Sequence, residues 1–152
     1  MKKTMWYIDL DGVLADWKQG YNNLENVPSL NTFNNLSKKD KDALKHKFYS
    51  YDFFYGLDPI DKGLKMIESL METNNVCICS AVGSINSNEI TKAKQDWIKK
   101  YIGDIEAIFV DKVENKHKYR LNGFDLHILI DDRQKAIDSW NKENDNLALL
   151  FS

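Results

Sequence analysis

The chain predicts an α/β fold, a Rossmann-like parallel sheet with helices on both faces and a small helical cap inserted after the first strand. Three observations carry this. Short apolar runs that read as buried strands alternate with stretches of helical spacing, the order that builds a parallel sheet covered on both sides. The interval 16–58 is too long for a plain crossover and holds helical patterns of its own. With 152 residues, the chain can bury one proper core plus a modest insertion, but not two full domains. The expected division is a core of 1–15 and 59–152 and a cap of about 16–58 within a single domain.

Taken in order, the apolar run Met5 to Ile8 marks a strand over 4–10 that ends on Asp9, with Asp11 two residues later. Gly12 then lets the backbone turn away. A short helix is expected over 16–25, followed by an asparagine-rich stretch around Pro28. Ser37, with Asp40 three residues on, caps a helix over 38–47. An aromatic cluster over 48–55 follows and is closed by Gly56 and Pro59. Leu64, Ile67, Leu70 and Met71 sit at helical spacing and place a helix over 61–73. A strand over 76–80 exits through Ser80-Ala81-Val82-Gly83-Ser84, and Ile90, Trp97, Ile98 and Tyr101 give the next helix over 87–101. Strands are expected over 105–110 and 126–130, separated by a polar, basic stretch. The last strand runs into Asp131-Asp132, a helix over 133–142 and a final strand over 146–151.

Composition narrows the functional classes. A net charge of -2 argues against a general nucleic-acid or membrane-surface binder, though not against a small phosphate ligand. No apolar run approaches the roughly 20 residues of a membrane-spanning helix. The apolar stretch after Met1-Lys2-Lys3 is too short for a secretory signal. Cys77 and Cys79, the only cysteines, are expected to point to opposite faces of their strand and to pack singly in the core. Neither a disulfide nor a shared metal is expected, and a reducing, cytoplasmic setting fits. His46, His117 and His127 are scattered, and Trp6, Trp97 and Trp140 read as core residues.

The strand exits carry the chemistry. In a parallel sheet these exits converge on one edge, here bringing together Asp9 and Asp11, Ser80, a basic segment with Lys112, Lys116 and Lys118, and Asp131-Asp132. Clustered carboxylates leaving water repel one another unless a cation neutralises them, and Mg²⁺ suits an all-oxygen set. A calcium loop opening on Asp9 would need glycine and glutamate where Leu14 and Gly20 stand. The set supports phosphoryl transfer to a carboxylate. Asp9 would attack phosphorus, and Asp11 would protonate the leaving oxygen and then activate water. Ser80, a lysine and the cation would neutralise the phosphoryl oxygens.

At this point the chain resembles the haloacid dehalogenase-like phosphohydrolases, and within them the 5'(3')-deoxyribonucleotidases. The likeness rests on Asp9-Leu10-Asp11-Gly12-Val13-Leu14-Ala15-Asp16-Trp17 and Phe53-Phe54 through Leu57 and Pro59. It continues through Cys79-Ser80, Lys94-x-x-Trp97-Ile98-x-x-Tyr101-x-Gly103 and Leu129-Ile130-Asp131-Asp132-Arg133. The resemblance implies Asp9 as nucleophile, Asp11 as acid and base, and Ser80 at the second motif. It implies Mg²⁺ held by Asp9, the Asp11 carbonyl and the Asp131-Asp132 pair. Trp17 would face the base, Lys94 would contact phosphate, and Ala81 stands at a further phosphate contact. Lys116 is favoured over Lys112 as the third-motif lysine. Phe53 or Phe54 would reach a nucleobase, the rest of the aromatic cluster packing under the cap.

The expected function is a cytoplasmic, Mg²⁺-dependent phosphomonoesterase of nucleoside monophosphates, with no long nucleic acid and no membrane as partner; a homodimer is allowed. The alternatives are a phosphatase of the same mechanism for another small ester or a polynucleotide 3'-phosphate, and a non-catalytic, receiver-like phosphate- or metal-binding module. Receiver domains, however, open with their acidic pair, whereas here the pair closes the set.

Overall fold

The computed structural model describes residues 2–152. Five strands, β1 (Thr4–Ile8), β2 (Asn75–Ala81), β3 (Ala107–Val110), β4 (Leu126–Asp131) and β5 (Asn146–Leu150), form one sheet in the order β3-β2-β1-β4-β5. Every pairing is parallel. The chain builds outward from β1 in one direction and then crosses back to the other side of it. The β1–β4 boundary is therefore the switch point where open α/β sheets form a crevice. Register places Ile8 opposite both Ile78 and Ile130. β1 ends two residues earlier than the apolar pattern suggests, but Asp9 N–H still donates to the Ile130 carbonyl at 2.9 Å. That bond sets Asp9 beside Asp131.

Five helices separate β1 from β2: α1 (Trp17–Asn22), α2 (Leu30–Asn34), α3 (Lys38–Phe48), α4 (Tyr51–Tyr55) and α5 (Asp61–Thr73). Helices of five or six residues are unstable alone, and each of these short ones has a side-chain cap. Asp16 accepts from Gln19 N–H, Ser29 from Thr32 N–H and Ser50 from Phe53 N–H. Ser37 caps α3 through Asp40 N–H, as its spacing suggests. The first four helices bury an aromatic cluster of their own, Tyr21, Phe33 and Phe48, with Trp17 and Phe53 against it. Entry and exit of this insertion meet where Asp16 N–H donates to Asp58 and Ile60 N–H to Leu14.

The helix α6 (Ser87–Tyr101) covers the same face as α5, and Ile67, Ile90 and Trp97 pack there on Ile8, Ile78 and Ile130. The insertion is tied to α6 by polar bonds. Tyr51 N–H donates to Glu89, Tyr51 OH to Asp96 at 2.7 Å, and Asn86 Nδ2 to the Tyr49 carbonyl at 2.8 Å. The opposite face carries α7 (Gln134–Trp140) and a 3-10 helix, Val113–Tyr119, in the polar, basic stretch between β3 and β4. There Met5, Tyr7, Leu129 and Trp140 form the second core layer. His127 is buried, with its Nδ1 2.7 Å from Tyr7 OH.

The cysteines correct one expectation. Two residues apart is one full strand period, so Cys77 and Cys79 face the same layer, not opposite ones. Both are buried free thiols, and burial pushes Cys79 up to about 12. Among the described residues no helix is long and apolar enough to cross a membrane.

Gly63 marks where α5 presses on the loop after β1, since a Cβ there would lie 1.8 Å from the Val13 carbonyl oxygen. In an open helix interior, glycine to alanine stabilises by about 1 kcal/mol. Gly63→Ala should instead destabilise by about 1–3 kcal/mol, read from urea unfolding. A gain in stability would show that this contact does not constrain the fold.

Candidate active site

The carboxyl ends of β1 and β4 deliver three carboxylates to one spot. Asp9, Asp131 and Asp132 each offer an oxygen within 4.8 Å of the others. Asp9 and Asp131 are buried. Gly12 makes room for the third, since its φ is +88° and a Cβ would sit 2.0 Å from Asp132 Oδ2. Any other residue at position 12 would be strained and would expel Asp132.

Lys116 lies between two of these acids, bonded to Asp9 Oδ1 at 2.9 Å and Asp131 Oδ2 at 2.7 Å while only 1% exposed. The 3-10 helix turns it inward. Lys112, immediately before that helix, is exposed and outside the cluster. Burial pulls the Lys116 ammonium down, but Asp9 and Asp131 together outweigh it and hold it above its ordinary value. For Asp9, burial and the charges of Asp131 and Asp132 push the carboxyl up against the pull of Lys116. Burial and Asp131 likewise raise Asp132. Three carboxylates against one ammonium leave two negative charges in a desolvated site, the amount a divalent cation neutralises.

The oxygens are not equivalent. Asp131 uses both, one on Lys116 and one accepting the Arg133 backbone N–H at 3.0 Å. Asp132 Oδ1 is buried without a partner. An orphaned, buried carboxylate oxygen beside Asp9 fits a hard cation ligated by oxygen.

A second cluster adjoins the first. Lys94, on α6 and 2% exposed, donates to Asp11 Oδ2 at 2.9 Å, Ser80 Oγ at 2.8 Å and the Ala81 carbonyl at 2.9 Å. Its three protons are thus all engaged, so it holds Asp11 and Ser80 in place. Asp11 Oδ1 is left buried and unpartnered. Asp11 therefore points its carboxylate at Lys94 and stands outside the Asp9 group.

The insertion carries the aromatic candidates. Trp17 is half-buried, stacked on Tyr21 at 5.5 Å and set edge-on to Phe53 at 6.2 Å. Phe54, in contrast, is buried in the main core with Lys94 Nζ 5.2 Å from its ring centre, and it offers no open face to a base. Phe53 is half-buried and stacks with Tyr49. Tyr49, one of the aromatic cluster expected to pack under the cap, is half-buried. Burial and the Asp11 carboxylate raise its hydroxyl, and its ring packs edge-on at 5.0 Å against Phe54, over which Lys94 Nζ lies.

No family model and no curated protein matches the chain. Solved structures do. A chain of the Pnkp1/Rnl/Hen1 complex superposes with TM-score 0.61 at 14% identity, over 99% of this chain and 46% of that one. This chain therefore spans less than half of that relative's length. The haloacid dehalogenase-like family hydrolase SP0104 from Streptococcus pneumoniae gives TM-score 0.62 at 17% identity, covering 96% and 84%. The HAD-hydrolase YfnB from Bacillus subtilis, bound to magnesium, gives 0.54 at 16% identity, covering 91% and 83%. At these identities the likeness establishes the fold alone, an α/β parallel sheet shared with these hydrolases.

Replacing Lys116 with methionine keeps much of its volume but strands Asp9 and Asp131. Breaking a buried pair this way costs about 3–5 kcal/mol, so Lys116→Met should lower unfolding stability by that order in metal-free buffer. A loss below about 1 kcal/mol would mean that Lys116 does not neutralise the cluster.

Proposed function

We propose that the chain is a Mg²⁺-dependent phosphomonoesterase of nucleoside monophosphates, deoxynucleotides foremost, working through an aspartyl-phosphate on Asp9. The observation that carries this is the pairing of two clusters, a buried Asp9–Asp131–Asp132 group with one ammonium, and Asp11 beside it with a free oxygen. The shared fold with SP0104 and with magnesium-bound YfnB supports hydrolase chemistry at this sheet edge.

Each residue's part follows from its bonds. Lys116 holds Asp9 Oδ1, which leaves the second oxygen of Asp9 to attack phosphorus. Asp11 Oδ1 gives its proton to the departing ester oxygen as the phosphorus–ester bond breaks. In the second half, Asp11 takes a proton from water, which attacks phosphorus and releases the Asp9 carboxylate with inorganic phosphate. Ser80 supplies a hydroxyl to the phosphoryl oxygens, and Lys94 keeps it aimed. Asp9, Asp132 and the Asp11 carbonyl would hold Mg²⁺, while Asp131 anchors Lys116 and the turn at Arg133. When bound, the ion neutralises charge between the acids and the phosphate. The helical insertion acts as the cap over the site, and Trp17 with Tyr49 presents aromatic surface to the base.

A panel of nucleotides and aryl phosphates, assayed with and without Mg²⁺, tests the reading. Hydrolysis should require the ion, and Asp9→Asn should abolish it while nucleotide binding persists. A folded wild-type protein that turns over none of the panel would instead indicate a binding module. Trp17→Ala should weaken kcat/KM for a nucleotide about tenfold, the scale of one base–aromatic stack, and p-nitrophenyl phosphate much less. Equal losses on both would remove Trp17 from base recognition.

A further inference from the structure

A cavity that the chemistry above does not use opens toward the other end of the sheet. It measures about 530 Å³ and lies between the 3-10 helix, the turn that leads into β4 and the residues after α7. His127, in its wall, stands four residues before Asp131, about 13 Å back along β4. Small-molecule sites typically enclose about 300–1,000 Å³, so the space suits a compact ligand. Its wall is basic, in a chain whose net charge is -2. Lys118 and Arg120 line it against a single carboxylate, Glu143. Among the described residues neither cation makes an ion pair. Arg120 is held by neutral acceptors, its Nη1 donating to the Asn146 side-chain oxygen at 2.8 Å and to the Asn144 carbonyl at 3.3 Å. Its charge is therefore anchored at the wall without a counter-charge.

Two histidines share this wall, one fixed and one not. The Tyr7 hydroxyl accepts the Leu121 N–H at 3.0 Å and lies 2.7 Å from His127 Nδ1. Giving its own proton to Nδ1 satisfies that buried hydroxyl, which leaves His127 a neutral ring with its proton on Nε2, on the side of the Phe124 carbonyl. The Phe124 and His127 rings meet at 73° with centres 6.4 Å apart, an aromatic corner. His117 has no such anchor. Its Nδ1 is buried without a partner, and its Nε2 lies 3.7 Å from Glu143, beyond hydrogen-bond reach. A polar nitrogen left unpaired is unfavourable, and a turn of this ring onto a ligand oxygen would relieve it. The donors also decide the class of ligand. His117, His127 and Glu143 do not converge on a metal, since the acid triad is the one such group among the described residues. Two cations facing one ligand suit a phosphate, which takes charge-assisted hydrogen bonds from both.

We propose that this cavity is a second anion site, separate from the active site, which binds a small phosphate-bearing molecule through Lys118 and Arg120. It stands independently of the phosphomonoesterase reading. The phosphate could be inorganic or that of a nucleotide, whose base would lie in the corner of Phe124 and His127. Both present the same chemistry to the two cations.

The chain has three histidines, so their ring resonances in NMR spectra report the site directly, with His46 on α3 as the control. Inorganic phosphate and thymidine 5'-monophosphate are each titrated at constant pH, without metal, into the wild-type protein and into Lys118→Glu. Lys118 is exposed and makes no hydrogen bond among the described residues, so this variant keeps the fold. Saturable shifts of His117 and His127 are expected with His46 unmoved. Binding should be about fivefold or more weaker in Lys118→Glu, the scale of partly exposed charge pairs, and should weaken in about 0.5 M KCl. Tighter binding of the nucleotide supports the site and shows that the aromatic corner reads the base. Equal affinities support it and show that the phosphate alone is held. No shift, or an unsaturated drift of all three rings, would overturn the site. So would a shift with unchanged affinity in Lys118→Glu, which would place the ligand beside Lys116 in the active site instead.

Discussion

The rest of the molecule depends on a single buried arrangement, the Lys116 ammonium held between Asp9 and Asp131 at the ends of two adjacent strands. Charges this deeply buried are costly unless paired with good geometry, so the surrounding structure must be exact. Parallel register sets the two aspartates side by side, and the Asp9 N–H bond to Ile130 extends that register one residue past the ladder. The 3-10 turn over Val113–Tyr119 brings Lys116 across from the far side of β2 and β3. Gly12, bent at positive φ, leaves space for Asp132. None of these features makes sense as packing alone, because each brings charge into a place that an apolar side chain would fill at lower cost.

The second cluster divides labour with the first. Asp11 and Ser80 share one lysine that is itself fully bonded. That leaves the Asp11 carboxylate oriented, with one oxygen free, and separate from the Asp9 group. On the proposed reading, the group that moves protons and the group that binds a cation are thus kept apart, although they lie two residues from each other in sequence. The insertion packs beside them, against α6. Its short capped helices are tied to α6 by Tyr51 and Asn86 and rest on Trp97, whose Nε1 donates to the Leu57 carbonyl at 2.7 Å.

Much of this was legible from the residue pattern. Apolar runs ending on aspartate locate β1 and β4, and alternation with helical spacing predicts a parallel sheet. What the pattern missed has physical causes. The helices α2 and α4 span five residues each, too few to show a helical period, and only their serine caps mark them. The pairing of Lys94 with Asp11 depends on how α6 is rotated against β2, which spacing along the chain does not encode. Phe54 and Phe53 are adjacent and chemically alike, yet helix rotation sends one into the core and leaves the other half-buried among the aromatic residues of the insertion. Lys116, favoured over Lys112 from the sequence, is turned inward by the local winding of a 3-10 segment that carries no apolar period.

The central claim is that the side chains of Asp9 and Asp132 grip one divalent ion, with Lys116 neutralising what remains. Anomalous diffraction from crystals soaked in Mn²⁺ measures this directly. One strong peak is expected roughly 2.0–2.6 Å from an oxygen of each of these two aspartates, the range of hard cations in oxygen sites. No peak between them, or a peak bound elsewhere with both carboxylates unligated, would contradict it.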